Sequence, residues 1–80
     1  MDEETALEVL RARYDRHVYE VEHNELATRG LRTWHVACAR GLRKLIVEVA
    51  MAAGDDETLN HVWGAPHWLT FSDEQVAKRD

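Results

Sequence analysis

Between residues 31 and 53, Leu31, Trp34, Cys38, Leu42, Leu45, Val49 and Ala52 recur at alternating steps of three and four. Such steps bring side chains to one face of an α-helix, because each residue turns the chain by about 100°. The spacing therefore predicts a helix over 31–53 with a heptad-like apolar seam, roughly 35 Å long at about 1.5 Å per residue. A seam of that length has to be covered, and the rest of the chain reads as the candidate cover. Gly41 lies at the edge of the stripe, where a missing side chain lets another backbone approach, and it costs about 1 kcal/mol of helix propensity relative to alanine.

A second periodic segment precedes the seam. Leu7, Leu10, Tyr14, Val18 and Val21 share one helical face, which predicts a helix over 3–28, with acids in its first turn and Gly30 as its stop. Glu8 and Arg11 sit three apart, as a solvent-side pair does. The short connection "LATRG" makes the two helices an antiparallel hairpin. Two helices side by side leave half of the seam open, so the tail or a second chain has to close it.

The tail has its own signals. Asp55 or Asp56 caps a short helix over 55–63 that carries Leu59, Val62 and Trp63, after Gly54 ends the long helix. Residues 64–71 form a turn segment around Gly64 and Pro66, since proline pushes Ala65 away from helical geometry. Ser72 and Gln75 make a capping box for a last helix over 73–79. The stretch "FSDEQVAKRD" also resembles the first helix of many helix-turn-helix domains, but no turn or recognition helix follows it in the sequence, so no family is carried over. The expected fold is all-α: one domain over 1–80, an antiparallel hairpin of two long helices with one or two short C-terminal helices, pairing into a dimeric bundle.

Size supports that expectation. A chain of 80 residues buries only about 60–65 % of the surface its unfolded form exposes, so its core needs support. The single cysteine, Cys38, excludes an internal disulfide, which leaves metal or association. No apolar run approaches the roughly 20 residues that span a bilayer, and Met1 to Glu4 lack a basic signal-peptide start, so a cytoplasmic protein without membrane contact is expected. The net charge of −5 divides into −5 over residues 1–25, +5 over 26–47 and −5 over 48–80. A basic belt between acidic arms is neutralised by its own chain or a partner subunit, or else it meets an anion such as nucleic acid.

Little in the chain points to catalysis. Cys38 falls mid-helix on the apolar stripe, away from the helix N-terminus or cation that would activate a thiol, so it reads as a small buried hydrophobe. His35, Cys38, His61 and His67 supply four zinc-type ligands without the tight paired spacing of recognisable sites. "EVEH", Glu20 to His23, has the Glu-x-x-His step of di-iron bundles but points away from the apolar face, and it occurs once. No cofactor is implied, and no phosphate loop or Ser/His/Asp arrangement is present.

The function expected is therefore a non-catalytic protein-interaction module, an adaptor or inhibitor occupying a surface on a larger macromolecule. Trp34, Trp63, Trp68, Leu69 and Phe71 are the apolar contact candidates, tryptophan being enriched in binding hot spots. Short acidic helical inhibitors encoded by phages and mobile elements are an analogy of size and composition only. The second reading is a nucleic-acid accessory protein using Arg29, Arg32, Arg40, Arg43 and Lys44, which helical geometry gathers on the side away from the seam. A third is a His/Cys metal-binding helical protein. "HVWGAPHWLTF", residues 61–71, reads as a lid or interface element with its histidines on the rim.

Overall fold

A computed structural model describes residues 2–26, 28–70 and 72, and within them the chain is all-α, with no strand. Helix α1 spans Glu3–His23, α2 spans Arg29–Ala53 and α3 spans Asp56–Trp63; a single 3₁₀ turn, His67–Thr70, follows. The helix expected over 73–79 and Phe71 lie outside the described residues. The molecule measures 38 × 20 × 15 Å, long and thin because α1 and α2 run alongside each other.

Short polar side chains set the helix ends. The Asp2 carboxylate accepts from the Thr5 N–H at 2.8 Å and opens α1. At the other end the Asn24 amide donates to Glu20 at 2.9 Å, while its side-chain oxygen accepts from the Leu26 N–H at 3.2 Å. The Thr28 hydroxyl then accepts from the Leu31 N–H at 3.2 Å and starts α2. The first helix is thus shorter than the 3–28 expected, and the second begins two residues before 31. Gly30 lies inside the first turn of α2 and stops nothing. Asn24 and Thr28, which satisfy orphaned backbone groups directly, outweigh the glycine signal. Gly54 does end α2, in the left-handed region at φ 68°, with its N–H turned back to the Ala50 and Met51 carbonyls.

The core takes Leu7, Tyr14 and Val21 from α1, as the periodicity implied, with Leu10 and Val18 packed against them. From α2 it takes Val36, Ala39, Ile46 and Ala50, and from the C-terminal part Val62, Trp68 and Leu69. The α2 contribution corrects the expected seam. Leu31, Trp34 and Leu45 are 40 %, 53 % and 44 % exposed, whereas Ile46, Ala39 and Ala50 are fully buried. The buried row His35, Ala39, Arg43, Ile46 and Ala50 is the seam moved on by one residue, about 100° around the helix. Two alanines on this row allow close helix approach, and Arg43 buries part of its apolar stem while its guanidinium finds a carbonyl. A histidine and an arginine in the row conceal it from a reading of apolar letters.

Candidate interaction surfaces

Helix α2 carries a second apolar face, whose Leu42 and Val49 pack against the core while its outer residues stay exposed among the described residues. Leu31, Trp34 and Leu45 are exposed, Cys38, Leu42 and Val49 are half-buried, and Ala52 is exposed. No charged residue of α2 falls on this arc; Glu48 borders it. The stripe runs about 32 Å, the rise of 21 residues. Gly41 sits beside it with nothing among the described residues within 4 Å of the position a Cβ would take, so none of them uses the close approach its missing side chain permits.

Trp34 is the largest group on this face and is held from beneath by two imidazoles. The His17 ring from α1 lies edge-on to it at 5.2 Å and 77°, and the His35 ring from α2 at 4.9 Å and 63°. The two histidines meet each other Nδ1 to Nδ1 at 2.8 Å, a hydrogen bond joining the long helices. Burial lowers the proton affinity of His17 below the ordinary histidine value, and the charges of His35, Arg16 and Arg13 add to this against Glu20. Trp34 thus has one edge fixed and half of its surface in solvent, the arrangement of a preorganised anchor.

The cationic side of α2 faces the tail. Arg43 Nε donates to the Val62 carbonyl at 2.9 Å, in the last turn of α3, and Arg40 Nε donates to the Leu69 carbonyl at 2.8 Å. Guanidinium groups at the carbonyl ends of short helices satisfy orphaned acceptors and oppose the helix dipole. Part of the basic belt is therefore matched by its own chain's carbonyls. Arg40, Arg43 and Lys44 border a groove of about 570 Å³ with Val47, Glu48 and Leu69. Arg29 and Lys44 are exposed and Arg32 is half-buried.

The tail folds back on the hairpin. Trp68 is 1 % exposed and its indole N–H donates to Glu22 at 3.2 Å; Leu69 is 5 % exposed. These two residues belong to the core, leaving Trp34 and Trp63, the latter 72 % exposed, as the tryptophans available at the surface. Arg11 ties α1 to α3 through the Thr58 hydroxyl at 3.4 Å.

The metal-type ligands do not converge. His35 is engaged by His17, His61 Nε2 meets Asp15 at 2.7 Å, Cys38 is half-buried and His67 is exposed. Among the described residues no three His, Cys, Asp or Glu side chains are placed to hold a metal ion. In "EVEH", Glu20 bonds Arg16 and Asn24, and His23 stacks on Tyr19 with ring centroids 4.3 Å apart. The Asp15–His61 pair lines a groove of about 320 Å³ with Tyr14, Tyr19 and Glu22, but no serine, threonine or cysteine is among its described lining residues.

His17 escaped the sequence reading. The signal for it was its place one turn beyond Tyr14, on the margin of the α1 apolar face, where a polar side chain meets the neighbouring helix. No described helix is long and apolar enough to cross a membrane. No protein-family model, no curated protein and no solved structure matches the chain.

Proposed function

We propose that the protein is a non-catalytic interaction module that docks a partner protein on the Leu31–Trp34–Leu45 face of α2. The observation that carries this reading is the uncharged stripe that stays partly exposed among the described residues, beside a separate buried row on the same helix. Burying such a stripe is favourable at about 25 cal/mol per Å² of apolar surface, and a half-exposed, edge-fixed tryptophan has the character of a hot-spot anchor. The complementary surface is an apolar helix or ridge on the partner, reaching closest at Gly41. An adaptor or an inhibitor both fit this mode of action; a second copy of the chain is the alternative occupant. The nucleic-acid reading draws less support, because Arg40 and Arg43 each commit a guanidinium N–H to the tail.

A photo-crosslinking residue placed at position 45 tests the proposal in extract of the native host. It should give one discrete adduct that a crosslinker at Glu8, on the exposed side of α1, does not give. The adduct should disappear on adding Trp34→Asp. Equal labelling from both positions, or an adduct indifferent to Trp34, refutes the docking face. Adduct mass separates a heterologous partner from a second copy.

A further inference from the structure

We propose that the His17–His35 pair is a proton-counting clasp that sets how Trp34 is presented, so that acidification releases the docking face; this rests on the docking reading of α2 given above. Two imidazole nitrogens 2.8 Å apart accommodate one proton between them. In the neutral pair one ring donates from Nδ1 and the other, protonated on Nε2, accepts. Adding one proton keeps the bond, since an imidazolium still donates to a neutral Nδ1. Adding a second puts a proton on both Nδ1 atoms, and two donors carrying like charge then face each other across the same gap. The bond has no form in that state.

The surroundings turn this local conflict into a movement of Trp34. His35 is only 8 % exposed, so it cannot swing into water in place. Trp34 lies against both rings, at 5.2 Å and 4.9 Å, so rings that separate carry away the support beneath the indole. The groups around the pair oppose the second proton. From α1, Arg13 and Arg16 act against it and Glu20 acts for it. On α2, Arg32 and Cys38 stand one turn to either side of His35. Glu20 is itself engaged by Arg16 at 3.1 Å and Asn24 at 2.9 Å, which limits what it offers the histidines. Two like sites this close titrate as a pair, in separated steps.

The full chain, followed by NMR of its imidazole and indole groups from about pH 8 to about pH 4.5, reads the clasp directly. The indole N–H of Trp34 is identified by its loss in Trp34→Phe. The geometry predicts that the Trp34 indole moves on the lower of the pair's two protonation steps, as the second proton enters. His61, bonded to Asp15, and His23, stacked on Tyr19, report whether the rest of the fold stays intact. In His17→Asn, which keeps a neutral hydrogen-bonding group, the lower step and the indole movement should both vanish. Crosslinking from position 45 should fall with the midpoint of the indole step in the native chain and stay level in His17→Asn. An indole that moves as the first proton enters, an indole unmoved through both steps, or crosslinking that persists after the indole has moved would each overturn the clasp. Should His17→Asn not fold, the native titration still decides. Failure here leaves the neutral-pH crosslink of the docking reading standing, whereas loss of that crosslink leaves the titration readable in the free protein.

Discussion

The two long faces of α2 are built from different materials, and the more apolar of them is the one more exposed among the described residues. One row, His35, Ala39, Arg43, Ile46 and Ala50, includes two polar residues and is packed against the rest of the chain. The other, Leu31, Trp34, Cys38, Leu42, Leu45, Val49 and Ala52, has no charge and is left partly in solvent. Apolar content does not decide which face a small domain buries. The buried row wins because its small residues admit close packing and because each of its polar groups has a partner: His35 has His17 and Arg43 has the Val62 carbonyl. A face rich in Leu and Trp that the fold leaves open is the feature a partner would use.

Substitutions that treat the faces differently test this contrast. The largest effect is expected at the tail, where Trp68→Ala should cost about 3–5 kcal/mol in urea unfolding, while Trp63→Ala should stay within about 0.5 kcal/mol. On α2 itself, Ile46→Ala should cost about 2–5 kcal/mol and its neighbour Leu45→Ala under about 1 kcal/mol. A reversed order would return the core to the row of Leu45. Arg43→Met removes a partly buried charged hydrogen bond and should cost about 1–3 kcal/mol, against about 0.5 kcal/mol or less for Arg29→Met in the same denaturant series. Thr28→Ala, which deletes the cap that opens α2, should cost about 1 kcal/mol.

Stability should also depend on pH at both ends of its range. His17 binds protons less readily folded than unfolded, so its contribution is complete above about pH 6.5 and is lost as the pH falls. Hydrogen bonds hold the Asp2, Glu20 and Asp55 carboxyls below their ordinary values, so their contributions fade at still lower pH, below about 4. Burial pushes the Tyr14 phenol up, with Arg43 pulling against it, so its contribution is lost as the pH rises beyond about 10. Urea midpoints across this range should form a plateau with an early acid shoulder that His17→Asn removes.

Much of the fold was legible in the letters. The 3.6-residue period of α1 located Leu7, Tyr14 and Val21, and Gly54 and Asp55 marked the junction of α2 with α3 through their backbone chemistry. The register of α2 was not legible, because His35 and Arg43 interrupt the buried row's apolar letters while the neighbouring, more exposed row alternates without interruption. Choosing between the rows needs the partners of His35 and Arg43, and those come from residues 18 and 19 positions away in the chain. The candidate site divides the same way. Trp34 stood out as a tryptophan on a helix face, but the imidazoles that fix it come from two helices. Trp68 and Leu69 looked like contact residues because hydrophobicity alone does not separate a lid's inner side from an outer one.

On the reading proposed above, the Leu45 face of α2 serves docking while the Ile46 face serves folding. Leu45→Asp, measured for both urea stability and crosslinking from the exposed position 31, which leaves Trp34 in place, separates the two roles. Stability within about 1 kcal/mol of the native chain, together with loss of the partner adduct, is the expected outcome. A variant that unfolds, or one that stays folded and is crosslinked to the native extent, would contradict it.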